Sequence, residues 1–195
     1  MKKIILLLLL FPLILSAQTK GIFTDSRDNH NYKWVKIGEQ IWMVDNLNYH
    51  TQDSHYYDND SLKSNGRLYN WEDYMNDKTD STGICPNGWH VPTLDNWNQL
   101  FNFVERSTAA DKLKSKLFKG GNDNYGFDAL PNGRYIPNGK TISFENKDTH
   151  AYFGTSTVRD DNTMWVFFLY SEVSSPLKID GDKKNGVSIR CIKNK

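Results

Sequence analysis

The chain has 195 residues, enough for one domain, with 24 Lys and Arg against 23 Asp and Glu and a net charge of +1. That balance argues against a nucleic-acid binder, which carries a basic excess. At 38% hydrophobic and 13% aromatic the chain is too rich in core formers to be disordered, and two cysteines are too few for a disulfide-dense mini-domain or a four-ligand structural zinc site.

Residues 1–17 open with Met1, Lys2 and Lys3, continue as an apolar run over 4–15, and end on Ser16 and Ala17. A charged start, a short apolar core and small residues before a cut site make a secretory signal peptide, with cleavage expected between Ala17 and Gln18. The run is short for a membrane span, and no later segment approaches the required apolar length, so no membrane span is expected in the mature form. Gln18 stands where a lipid-anchored protein would need a cysteine. Loss of Lys2 and Lys3 turns the mature balance slightly acidic. Export also places Cys85 and Cys191 in an oxidising compartment, where two cysteines most simply form one bridge. A redox or catalytic thiol would lack any Cys-x-x-Cys partner.

Residues 18–27 read as a lead-in. YKWVKI over 32–37 alternates apolar and polar residues, Gly38 and Glu39 follow, and QIWMV covers 40–44. This is a β-hairpin with a tight glycine-first turn, with Trp34 and Trp42 expected to pack near each other. Residues 48–66 are loop-like and contain Tyr56, Tyr57, Asp58, Asn59 and Asp60. Leu68, Trp71 and Met75 are spaced as a short amphipathic helix after Gly66. In CPNGWHVP over 85–92 the prolines and glycine fix the turns, and Thr93 is a helix N-cap candidate. Leu94, Trp97, Leu100 or Phe101, and Val104 then mark one face of a helix running to about Arg106. The lysines at 112, 114, 116 and 119 read as a solvated face or loop. Short strands broken by Pro131 and Gly133 are expected over 126–136, and further strands over 151–157 and 163–170, the latter apolar enough to be buried on both faces. Residues 186–192 alternate as a terminal strand with Val187, Ile189 and Cys191 on the inner face, which suits a bridge to Cys85. Helices segregated from strands make an α+β protein.

The chemistry of sites is thinly represented. There is no Gly-x-Ser-x-Gly elbow, no glycine-rich phosphate loop and no His-Glu-x-x-His, and the five histidines are scattered. His90, between Trp89 and Val91, reads as a packed histidine. No two glutamates lie close in sequence, so no carboxylate pair for glycoside hydrolysis is nominated. Asp180 and Asp182 begin like an EF-hand loop, but the closing glutamate position holds Cys191 and the glycine is one place late. The runs Asp58, Asn59, Asp60 and Asp160, Asp161, Asn162 offer clustered oxygens, and Asx residues are also ordinary turn formers. Lys33 and Lys36 interleaved with Tyr32 and Trp34 suit the two faces of a strand better than a nucleic-acid platform.

Several of these segments carry a resemblance. The stretches 32–47, 66–75 (GRLYNWEDYM), 85–97 (CPNGWHVPTLDNW), 126–133 (GFDALPNG), 155–165 and 186–193 (GVSIRCIK) together resemble the Fibrobacter succinogenes major paralogous domain, a module of exported bacterial proteins. The ordered set W-x-x-x-N-L, G-R-L-Y-x-W, C-P-x-G-W-H-V-P and S-x-R-C carries the specificity. The element order is similar to the C-type-lectin-like fold and to sulfatase-modifying-factor domains, in which the last strand is tied by a disulfide. That likeness concerns fold and carries no catalytic residues.

The expectation is thus a C-type-lectin-like α+β domain over 28–195. It comprises an N-terminal β-hairpin, two helices, and a mainly antiparallel sheet with a disulfide-tied C-terminal strand. The protein is expected to be secreted or extracytoplasmic in a bacterium, at the periplasm or cell surface. It reads as a non-catalytic binding or surface-interaction module for a glycan or protein ligand, with no nucleic-acid partner and no cofactor. Tyr56, Tyr57 and Tyr125 are the candidate ligand contacts. The alternatives are an extracellular enzyme on polysaccharide or protein, for which no catalytic residue is nominated, and a calcium-dependent lectin-like binder using Asp160, Asp161 and Asn162.

Overall fold

The computed structural model describes residues 19–59, 65–75 and 82–194. The expected leader, its cut site between Ala17 and Gln18, and Asp60 lie outside the described residues.

The hairpin forms between β2 (Asn31–Ile37) and β3 (Gln40–Met43), and β1 (Lys20–Thr24), from the stretch read as a lead-in, pairs antiparallel with the outer edge of β2. Gly38 turns the hairpin at φ +58°, a conformation that favours glycine at the first turn position. The register sets Trp42 opposite Val35 and Met43 opposite Trp34. Trp34 and Trp42 therefore stand on opposite faces, contrary to the expectation that they pack together, because a one-residue offset reverses a strand side chain's face. Trp42 joins Val35 and Ile37 in one core cluster, where it meets Trp97 at 4.7 Å, while Trp34 lies against the second cluster with Tyr32 and Met43.

Two sheets result. The first runs β1-β2-β3-β12-β5, with β5 at Trp89–His90 and β12 at Ile192–Lys193. The second runs β10-β9-β8-β11-β4 and also carries β6 and β7. Its strands are β4 (Leu68–Tyr69), β6 (Asn132–Asn138), β7 (Thr141–Lys147), β8 (His150–Val158), β9 (Thr163–Tyr170), β10 (Leu177–Asp182) and β11 (Val187–Ser188). Pairing is antiparallel except where β8 meets β6 and β11. As its composition implies, β9 is packed on both faces: Met164 and Val166 point into one cluster, Phe167 and Leu169 into the other. The half-exposed strands β7 and β10 were not legible, since Asn, Lys, Asp and Gly dilute their alternation.

The terminal segment is not one strand. Residues 187–188 pair in the second sheet and 192–193 in the first, so the chain crosses between sheets over 189–191. Hydrogen bonds from Leu47 N to Ile189 O (2.8 Å) and from Met43 N to Cys191 O (3.0 Å) hold that crossing. Val187, Ile189 and Cys191 do share the inner side, all within the second core cluster.

Three short α-helices lie between the hairpin and the later strands among the described residues. The first, α1 (Trp71–Met75), starts later than the 68–75 spacing suggested, because Leu68 and Tyr69 pair with Ser188 and Val187 as a strand. The second, α2 (Leu94–Phe103), is capped as expected: Asn96 N donates to Thr93 Oγ1 at 3.1 Å, Thr93 N donates to Asn96 Oδ1 at 2.9 Å, and Trp97, Leu100 and Phe101 are buried. The third, α3 (Ala109–Leu113), occupies part of the lysine-rich run read as solvated. Lys114, just beyond it, is fully buried. Its ammonium pairs with Asp111 at 2.7 Å and donates to the carbonyls of Tyr170 (3.1 Å) and Val173 (3.3 Å). A buried cation with three oxygen partners is tolerable, and such tertiary partners do not show in a local charge pattern.

Cys85 and Cys191 form a disulfide across 106 residues, with Cα atoms 5.9 Å apart, and no free cysteine exists among the described residues. The bridge ties the sheet-crossing segment to the loop that precedes β5. Replacing both cysteines by serine is expected to lower unfolding stability by about 2–5 kcal/mol, since a long closed loop is released in the unfolded chain. Urea denaturation of the oxidised protein and the double variant measures this directly.

Candidate functional site

The motif residues converge, but on a structural hub. Arg190 is fully buried. Its Nε and Nη2 donate to Asn46 Oδ1 at 3.1 and 2.8 Å, Nη2 also donates to Asp128 O at 3.3 Å, and Nη1 donates to Phe127 O. The guanidinium lies 4.4 Å from the Phe127 ring centre and 5.2 Å from that of Phe153. Burial pulls its pKa down to about 10, opposed by the charges of Asp128, Asp45 and Asp123, so it remains a cation at neutral pH. Asn46 turns its amide nitrogen to Asn65 O (3.1 Å) and Ser188 Oγ (3.4 Å), and Asn132 also donates to Asn65 O, at 2.5 Å. Gly66 must lack a side chain here, because a Cβ would come within 2.7 Å of Asn46 Cβ. Segments 42–47, 65–66, 126–132 and 188–191 thus meet around one cation whose polar partners are amides and carbonyls.

Of the residues nominated from sequence, Tyr56 and Tyr57 adjoin the Asn65, Gly66 and Asn132 edge of that hub, and the others lie away from it. Tyr56 lies under the Arg67 guanidinium at 4.1 Å, and Tyr57 packs on Phe144 at 5.0 Å with the Lys147 ammonium 5.3 Å from its ring. Between them is a cavity of about 20 Å³, room for a single water. Tyr125 sits elsewhere, half-buried 6.3 Å from Phe103. In the acidic run, Asp160 Oδ1 accepts the N–H groups of Asn162 (2.9 Å) and Thr163 (2.8 Å), and Oδ2 accepts from Arg159 (3.2 Å). Hydrogen bonds from Thr163 first, then from Asn162, hold its carboxyl below the usual range. Asp160 is therefore committed to its turn. Among the described residues, no group of three or more His, Cys, Asp and Glu is arranged to hold a metal ion.

Asp161 and Asn162, by contrast, line a groove of about 620 Å³, within the usual range for ligand sites. Its walls come from four places: Asn70, Trp71 and Glu72 at the start of α1, Pro137 of β6, the β8–β9 turn with Asp161 and Asn162, and the β10–β11 turn with Asp182, Lys183 and Lys184. Lys183 joins three of these walls. Its N–H donates to Asn162 O (3.0 Å), its carbonyl accepts from Trp71 N (2.9 Å), and its ammonium donates to Asp161 O (3.0 Å) while lying 5.2 Å from the Trp71 ring centre. Asn70 Oδ1 caps α1 by accepting from Asp73 N at 2.9 Å, and Asp182 Oδ1 accepts from Lys184 N at 2.8 Å. Asp73, one residue beyond the groove, is pushed above the usual carboxylate range by burial first and by Asp53.

The turn behind the groove rests on Tyr135. Tyr135 and Gly186 exchange backbone hydrogen bonds of 3.1 and 3.0 Å, and the tyrosine ring fills the space where a residue 186 side chain would lie. Burial pushes the Tyr135 phenol up to about 12. Trp71, read as a core position of an amphipathic helix, does pack against the second core cluster, 5.3 Å from Tyr74; its second place, in the wall of the groove between Asn70 and Glu72, went unread. Gly186→Ala would set a Cβ 1.8 Å from the Tyr135 ring. It is expected to destabilise the protein by about 3 kcal/mol or more, as overpacking against an immobile ring does, with thermal unfolding as the check.

The family model described as the Fibrobacter succinogenes major domain matches residues 35–193, and the chain belongs to that family. No curated protein and no solved structure matches the chain.

Proposed function

We propose that this member of the Fibrobacter succinogenes major domain family is an exported, non-catalytic binding module whose ligand is a glycan taken up at the Trp71 groove. The observation that carries the reading concerns the tryptophans of the compact motifs. Trp42 and Trp89 are buried in the cores, whereas Trp71 is half-buried and lines the groove beside carboxylates, amides and ammonium groups. An aromatic face with hydrogen-bonding groups around it matches a sugar ring, which has an apolar face and a rim of hydroxyls. Catalysis is left out of the proposal because Asn46, Ser188 and Arg190 of the motifs are engaged with one another in the buried hub.

Export is supported by residues 1–17, which have the pattern of a cleaved leader, and by the disulfide, which suits an oxidising compartment. No helix among the described residues is long and apolar enough to cross a membrane. The proposed organisation is a leader over 1–17, a lead-in over 18–27 that adds β1 to the first sheet, and one domain over 28–195. A C-type-lectin-like arrangement belongs to the same reading, supported by the N-terminal hairpin, the helices placed before the later sheet, and the disulfide on the final segment.

The test is a glycan array on the exported protein, followed by Trp71→Ala. At least one glycan should bind, and the alanine variant should stay folded by circular dichroism, with some loss of thermal stability because the ring also packs against Tyr74, while losing about tenfold or more in affinity, as removal of a central aromatic contact does. An array without a hit, or a variant that binds like the parent, overturns the proposal.

A further inference from the structure

The charges around the groove narrow the ligand class. Resting on the glycan-binding reading, we infer that the groove takes an uncharged, hydroxyl-rich saccharide chain and rejects one bearing carboxylates. Glu72, Asp161 and Asp182 are exposed at the groove and make no ion pair among the described residues.

Of the two lysines there, Lys183 is committed. Its ammonium holds the Asp161 carbonyl at 3.0 Å and lies over the Trp71 ring. Moving it toward an anionic ligand would cost its bond to the Asp161 carbonyl, while the Lys183 N–H to Asn162 O bond would still join the two turns. The Asp161 carbonyl does not cancel the Lys183 charge, so two ammonium groups stand against three carboxylates and the groove keeps a net negative charge. Such a rim repels a uronic acid, while the same carboxylates accept hydrogen bonds from the hydroxyls of a neutral sugar, and Asn162 adds an amide group. The contact with Trp71 is common to both members of a pair, so charge is the discriminating feature.

The experiment uses matched hexasaccharides that differ only at C6, a hydroxymethyl in one and a carboxylate in the other: β-1,4-mannan against β-1,4-mannuronan, β-1,4-glucan against β-1,4-glucuronan, and α-1,4-galactan against α-1,4-galacturonan. Affinities for the exported protein and for the Glu72→Gln/Asp182→Asn variant are measured by calorimetry at low and at high salt. The neutral member of a pair should bind about tenfold or more tightly than its acidic partner at low salt. The gap should shrink at high salt and in the variant, because both weaken the repulsion. An acidic member that binds as well as its neutral partner, or a preference unchanged in the variant, overturns the inference and leaves glycan binding standing. Failure of every hexasaccharide to bind overturns the inference, and together with an array without a hit it overturns both.

Discussion

A single buried guanidinium holds the two sheets of this protein in register. Arg190 sits on the segment that leaves the second sheet at β11 and enters the first at β12, and its donors are met by the Asn46 side chain and the Phe127 and Asp128 carbonyls. Removing a guanidinium from water is costly, and the cost is offset only when its donors find acceptors within the fold. Any arrangement that separates residues 46, 127–128 and 190 therefore leaves a naked charge in the core. Cys191, next in the chain, is bonded to Cys85, so the crossing is fixed electrostatically on one residue and covalently on the next.

That constraint explains why the motif residues read from the sequence are spread along the chain. The asparagine of W-x-x-x-N-L is the acceptor for Arg190. The glycine that opens G-R-L-Y-x-W lets the chain pass over Asn46, and the serine of S-x-R-C touches the same asparagine. Most motif residues are spent on closing the fold. The groove is a by-product of the same closure, because the second sheet brings the turns at 159–162 and 183–186 up to the start of α1.

Much of the fold was legible in the sequence where the signal is local. Thr93 and the apolar spacing from Leu94 to Val104 announce α2, the apolar run announces β9, and the cysteine count announces the bridge. The rest is set by distant partners. The faces of Trp34 and Trp42 depend on a one-residue register, Lys114 is buried because Asp111 and two carbonyls await it, and β7 and β10 are strands because neighbouring strands pair with them. The groove could not be read at all, since its walls lie at residues 70–72, 137, 161–162 and 182–184 and only the folded chain assembles them. Of the sequence candidates, Asp161 and Asn162 reach it, while Asp160 is held by its turn and the three tyrosines lie elsewhere.

The claim on which all this rests is that Asn46 and Arg190 act as one unit, and a double-mutant cycle measures it. Urea unfolding of the parent, Asn46→Ala, Arg190→Met and the double variant yields their coupling free energy. The expected result is a coupling of about 1.5 kcal/mol or more, with each single variant strongly destabilised and the double variant no worse than Asn46→Ala alone, since methionine leaves no buried charge behind. Additivity within about 0.5 kcal/mol would mean that the two side chains do not depend on each other, and would contradict the central role given to the buried guanidinium.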